Sequence, residues 1–247
     1  MVLPVSATSN ITLPNYVDDA GVHPRYDSPQ YRSTALRHPG NALHLLPQRL
    51  TEVTGPLFGH NRVQPGDDDL TVWNGGEASG QRIIVHGRVF DSDGRAVPDT
   101  LFEIWQANAA GRYRHVNDQW AAPLDPHFAG MGRCATGSDG RYSFTTIRPA
   151  AYPWGNHRNA WRPAHIHFSV FGRAFTQRLV TQMYFPDDPL FGQDPIFNSV
   201  SHQAARERLI AGYDHGATAD HWALGFRFDI VLRGTGQTPF ETEIDDD

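Results

Sequence analysis

An antiparallel β-sandwich with an extended N-terminal arm and few short helices is the fold this sequence predicts. Three observations lead there. Short β-rich runs recur from Gln81 onward, turns rich in Gly, Asp and Pro separate them, and no helical pattern alternates with them. The expected class is therefore mainly β.

Residues 1 to 80 are rich in Pro, Gly, Asn and His and show little sustained periodicity. They read as an arm with a short helical turn over Tyr31 to His38. An arm of that length rarely stays structureless in a compact protein, so it is expected to pack on its own core or on a partner subunit. Residues 81 to 247 then form the sandwich domain. Its first strand is Arg82 to Phe90, closed by the turn signal Asp91-Ser92-Asp93-Gly94. Leu101 to Gln106 alternates well, and Ser138-Asp139-Gly140 introduces a strand over Arg141 to Ile147. Further strands are expected over Ala164–Phe171, Arg178–Phe185 and Gly225–Arg233. One helix is expected over Ser201 to Ala211, with Ser201 as N-cap and Ala205 and Leu209 on one face.

Composition narrows the function. The 247 residues are 39% hydrophobic and 19% charged, which describes a globular protein with ample material for a core. A net charge of -6 and the lack of a concentrated basic stripe argue against a nucleic-acid binder. The acidic stretch Glu241 to Asp247 reads as a solvated terminus. Cys134 is the single cysteine, so an intrachain disulfide and a cysteine-rich zinc site are both excluded. Met1 to Ile11 has no secretory pattern, and no apolar run approaches a membrane span, so a cytoplasmic location without membrane contact is expected.

The most informative segment is Arg162-Pro163-Ala164-His165-Ile166-His167-Phe168. In a strand, side chains alternate between faces, so His165 and His167 point one way while Ile166 and Phe168 point the other. Two imidazoles on one face can share a metal ion. Other ligands must then come from elsewhere. Asp187 and Asp188 lie nearby on a Pro-rich loop, and Tyr113 and Tyr152 fall on irregular segments just outside strand ends. A free phenol has a pKa of about 10, so phenolate ligation at neutral pH needs a strongly polarising cation. Hard anionic oxygen suits ferric iron better than zinc, and two phenolates plus a hydroxide would neutralise Fe(III).

A longer series carries a family resemblance. Trp105-Gln106-Ala107-Asn108, Gly111-Arg112-Tyr113-Arg114-His115, Tyr152-Pro153-Trp154, Trp161 to Phe168 and Thr181-Gln182-Met183-Tyr184-Phe185 together resemble the intradiol ring-cleaving dioxygenases. The resemblance runs from about Tyr31 to Phe240. It implies that Tyr113, Tyr152, His165 and His167 bind one non-haem Fe(III) per chain, with Tyr152 as the axial ligand that yields to substrate. Arg162 matches the family's active-site arginine, placed to stabilise charge on the reacting ring. Trp154, Gln182 and Ile196 match positions that line the substrate pocket, and Tyr31 aligns with a pocket tyrosine on the arm.

The implied activity splits a catechol between its hydroxyl-bearing carbons and inserts both atoms of O2. For 3,4-dihydroxybenzoate (protocatechuate) the product would be 3-carboxy-cis,cis-muconate. The segment Phe191-Gly192-Gln193-Asp194-Pro195 departs from the pattern expected there, which leaves other substituted catechols such as 4-sulfocatechol open. The resemblance also implies an alpha subunit of similar fold in a higher hetero-oligomer. Readings from other classes are a zinc hydrolase or lyase using the two histidines, and a non-catalytic β-sandwich binding subunit.

Overall fold

The computed structural model describes residues 22–41, 63–171 and 178–240. The acidic terminus and the first residues of the arm lie outside the described residues. In chain order the elements are α1 (Thr34–Arg37), β1 (Val72–Trp73), β2 (Gly76–Glu77), β3 (Arg82–Phe90), β4 (Leu101–Trp105), β5 (Met131–Ala135) and β6 (Arg141–Ile147). There follow β7 (Tyr152–Pro153), β8 (Trp161–Arg162), β9 (His165–Phe171), β10 (Arg178–Tyr184), α2 (Pro195–Ser199), α3 (Gln203–Glu207), β11 (Gly212–Tyr213), β12 (Leu224–Arg227) and β13 (Ile230–Val231). The class is mainly β with short helices, as the turn-separated runs predict.

Two sheets face each other. One is antiparallel throughout, in the order β10-β9-β4-β5. The other is built around β3, which pairs with β6 on one side and with β12 and β13 on the other. Strand β3 shows the expected period of two: Ile83, Val85 and Val89 are buried, while Ile84, His86 and Arg88 face partly outward. Its buried set meets Phe102 and Ile104 of β4 and Ile166, Phe168 and Val170 of β9 in one apolar core. Phe168 is central there, with the rings of Phe102, Phe144 and Phe228 at 6.1, 5.8 and 5.4 Å.

Three expectations need correction. The span Gly225 to Arg233 is two short strands, and both run parallel to β3. The break falls at Phe228 and Asp229, where the Asp229 carboxylate accepts the Arg88 amide at 3.0 Å and takes the place of a ladder bond. The helix expected over Ser201 to Ala211 is shorter: α3 starts after His202, and Ser201 does not cap it. It stops early because Leu209 and Ala211 bond to the backbone of Tyr184, accepting at 2.8 Å and donating at 2.9 Å. Ala205 and Leu209 still share a buried face. Tyr152, read as lying on an irregular segment, sits instead on β7, directly across from Arg162 on β8.

The described part of the arm lies against the rest of the chain. Tyr31 is 2% exposed and meets the Trp154 ring edge-on at 5.3 Å. Asn156 fastens the same stretch, accepting from the Arg32 amide at 2.7 Å and donating to the Gln30 carbonyl at 2.9 Å. Leu70 is part of the main core.

Cutting Phe168 back to Ala removes the ring on which both sheets close. Phe168→Ala is expected to cost about 3–5 kcal/mol of unfolding free energy, read from urea denaturation.

Candidate metal centre

Strand β9 is buried on both faces, and the two faces do different work. Ile166 and Phe168 enter the core, while His165 and His167 point to the opposite side of the same sheet. Register places Trp105 of β4 on one side of His167 and Gln182 of β10 on the other, with Tyr184 opposite His165. The Trp105 indole stacks on the His167 ring at 4.8 Å and 7°. His165 is held differently. Its Nδ1 lies 2.7 Å from the Pro163 carbonyl, which can only accept, so the proton sits on Nδ1 and the Nε2 lone pair faces the centre. Burial, the nearby Arg162 charge and His167 hold its pKa well below the ordinary histidine value, so it is neutral at neutral pH.

A loop and a two-stranded ribbon bring phenols to this face. Asn108 organises the first, its Oδ1 accepting the Ala110 and Arg112 amides at 2.9 and 3.0 Å. Gly111 turns with φ +75°, and a Cβ there would lie 2.4 Å from the Ala151 carbonyl oxygen. The Asp118 carboxylate then accepts the Tyr113 amide at 2.7 Å. Tyr152 arrives on the β7–β8 ribbon, its ring edge-on to Tyr113 at 5.2 Å and 88°.

Four donor atoms converge. The Tyr152 hydroxyl lies 3.3 Å from His165 Nε2, the two Nε2 atoms are 3.2 Å apart, and His167 Nε2 lies 3.1 Å from the Tyr113 hydroxyl. Two imidazole nitrogens and two phenol oxygens that close together are a donor set that could hold a metal ion. Its hard, potentially dianionic oxygens suit a trivalent ion. Among the described residues no group of three or more His, Cys, Asp or Glu side chains could hold a metal, so tyrosine is what completes this cluster. Asp188, weighed as a ligand, instead accepts the Ala164 and Leu190 amides at 3.1 and 2.9 Å and anchors the start of β9.

Beside the cluster lies a buried polar network. Arg162 is 3% exposed and Asp194 is 0% exposed. The Asp194 Oδ2 accepts from Nε and Nη2 of Arg162 at 3.3 and 3.2 Å. Nη2 also donates to Gln182 Oε1 at 2.5 Å and to the Tyr184 hydroxyl at 3.0 Å. The Trp154 ring lies 5.6 Å from the guanidinium carbon. Gln182 Nε2 and Trp154 Nε1 are buried donors without a hydrogen-bond partner among the described residues. Ile196 lines a cavity with Gln182 and Tyr184, walled further by Pro24, Val200 and Phe240. Tyr31 meets this network through its edge-on contact with Trp154.

Sequence reasoning quoted Asp194, Tyr184 and Asn108 within motifs without giving them a role, and it did not single out Asp118. Only Asp194 had a local signal, since Asp followed by Pro marks a helix start; its Oδ1 accepts the Ile196 amide at 3.0 Å.

The chain is also similar to known proteins. Residues 53–234 match the dioxygenase family model, and residues 16–49 match the model for the N-terminal part of protocatechuate 3,4-dioxygenase beta subunits. The chain is 54% identical over 221 residues to the protocatechuate 3,4-dioxygenase beta chain of Burkholderia cepacia, covering 89% of this chain and 94% of that one. It is 32% identical over 209 residues to the corresponding alpha chain of Pseudomonas putida, covering 80% and 98%. Among solved structures, 3-chlorocatechol 1,2-dioxygenase from Rhodococcus opacus 1CP aligns with a TM-score of 0.53 at 27% identity, over 69% of this chain and 66% of that one. Hydroxyquinol 1,2-dioxygenase from Pseudomonas putida DLL-E4 shares the fold, with a TM-score of 0.55 at 22% identity over 87% and 73%. With half of its residues identical to one such enzyme across nearly its whole length, the chain belongs to the intradiol ring-cleaving dioxygenases.

Proposed function

We propose that the protein is a ferric intradiol dioxygenase that converts protocatechuate and O2 to 3-carboxy-cis,cis-muconate, and that it works in the cytoplasm with an alpha subunit. The observation that carries the reading is the convergence of two phenol oxygens and two Nε2 atoms, each successive pair from Tyr152 through His165 and His167 to Tyr113 lying 3.1–3.3 Å apart. Tyr113, Tyr152, His165 and His167 would hold the iron. Iron held there would supply Lewis acidity and would lend a catechol substrate the radical-like character needed to react with triplet O2.

The protein's own contributions follow from its geometry. His165 offers a neutral nitrogen because its proton is committed to the Pro163 carbonyl. Trp105 fixes the plane of the His167 ring. Tyr152 would take one catechol proton on its phenolate oxygen, so little net charge would enter the buried centre. Arg162 faces the growing negative charge on the ring with a preorganised cation. Gln182 Nε2 and Trp154 Nε1 offer unpaired N–H groups to oxygen atoms of the substrate. Ile196 and Tyr31 complete the pocket wall behind them.

Identity to a protocatechuate 3,4-dioxygenase beta chain supports protocatechuate as substrate, and the similarity to an alpha chain supports a partner of the same fold. Exposed Trp120 and Trp161 meet edge-on at 5.8 Å, the latter next in the chain to Arg162, and offer apolar surface for such a partner. The single cysteine, buried and free, suits a reducing compartment. Among the described residues no helix is long and apolar enough to cross a membrane.

Co-expressed with an alpha chain and loaded with iron, the protein is expected to consume one O2 per protocatechuate, with kcat/KM higher than for catechol or 4-sulfocatechol. A colourless preparation that gains no visible tyrosinate band with iron salts would sink the assignment. His165→Ala is expected to lose iron and activity together, read by metal analysis and oxygen uptake. Tyr152→Phe is expected to keep iron but slow turnover about 100-fold, since its proton acceptor is gone. Gly111→Ala forces a Cβ onto the Ala151 carbonyl in a left-handed turn, so bound iron per chain is expected to fall in parallel with the thermal midpoint.

A further inference from the structure

We propose that Asp194 is a positioning residue that sets the orientation of Arg162 toward the reacting ring; the proposal rests on the ferric dioxygenase reading. The pair is wholly buried, and burying two opposite charges gains little stability over apolar side chains of the same volume. A need to fill space therefore does not account for it. Its bonding pattern does. Asp194 Oδ2 takes both Nε and Nη2 of Arg162, while Oδ1 is tied to the Ile196 amide at the start of α2. The Asp194 carbonyl accepts from Asn198 Nδ2 at 2.8 Å, which fixes the same turn. Both carboxylate oxygens are thus committed, and the plane of the carboxylate is set by α2.

On the other side, Tyr184 donates to Gln182 Oε1 at 2.8 Å while accepting from Nη2. Three acceptors surround an Nη2 that carries two hydrogens, so the guanidinium is clamped along the edge shared by Nε and Nη2. Trp154 lies against its face. Asp194 therefore joins the arginine that meets developing charge to the helix that carries Ile196, and it reaches Gln182, whose Nε2 has no partner among the described residues, through Arg162 Nη2 and the Tyr184 hydroxyl. Through it, loop 187–194 and α2 fix the direction of a cation that belongs to a different ribbon, β8.

Asp194→Asn tests this. If Oδ1 keeps its bond to Ile196, the new amide turns N–H groups toward Arg162 and pushes the guanidinium out of place. The iron content and visible tyrosinate band of the variant are expected to match wild type. Its kcat on protocatechuate is expected to fall about 10- to 100-fold while KM changes less than threefold. In a cycle with Arg162→Met, the double variant is expected to be no slower than Arg162→Met alone, because Asp194 acts through that arginine. Additive losses in kcat, or an Asp194→Asn enzyme within twofold of wild type, would overturn the proposal. Should Asp194→Asn fail to fold, Tyr184→Phe removes one clamp on Nη2 and is expected to show the same split between kcat and KM; unchanged kcat there counts against it. Urea unfolding of the same cycle separates the two readings. Non-additive stabilities with no ring cleavage by wild type would sink the dioxygenase reading and leave the Arg162–Asp194 coupling standing.

Discussion

The alternation of β9 is the constraint on which the rest of the structure depends. One strand must bury Ile166 and Phe168 in the core between the sheets and, on its other face, hold His165 and His167 with their Nε2 atoms 3.2 Å apart. A slip of one residue against β4 or β10 would exchange the two faces. Pairing on both sides prevents that, over seven residues with β10 and five with β4. The apolar contacts of Phe168 therefore aim the histidines as firmly as any bond to the rings themselves.

Neutralising charge is the second theme. In the proposed reaction two phenolates face a trivalent ion, and a buried guanidinium lies close by. Asp194 answers the guanidinium at hydrogen-bond distance, so the centre does not carry an unbalanced cation before substrate arrives. His165 stays neutral for a related reason, since burial and Arg162 both disfavour its protonated form.

Much of this was legible in the sequence because it is local. The His165-Ile166-His167-Phe168 alternation fixes its own faces, and β3, β6 and β10 announce themselves through apolar periodicity and flanking turns. Strand β5 does not: only Cys134 is buried in it, and Gly132 sits where a Cβ would strike Leu70. The parallel course of β12 and β13 is equally hidden, since chain direction leaves no mark on side-chain pattern. At the centre, the pairing of Arg162 with Asp194 joins positions 32 apart, and the loop ties made by Asn108 and Asp118 are side chain to backbone. Such contacts exist only once the sheets have brought the loops together. The family resemblance covered the ligands; it said nothing about what holds them.

The two phenols are moored unequally. Tyr113 follows a turn tied by Asn108, Asp118 and the close approach of Gly111 to Ala151, so moving it means dismantling a bonded loop. Tyr152 hangs from a ribbon two residues long that belongs to neither large sheet. A swing of its ring leaves the sandwich ladders intact. In the proposed reaction the backbone alone therefore sets the two phenols apart, because only Tyr152 could make room for an incoming diol without disturbing a bonded loop or either large sheet.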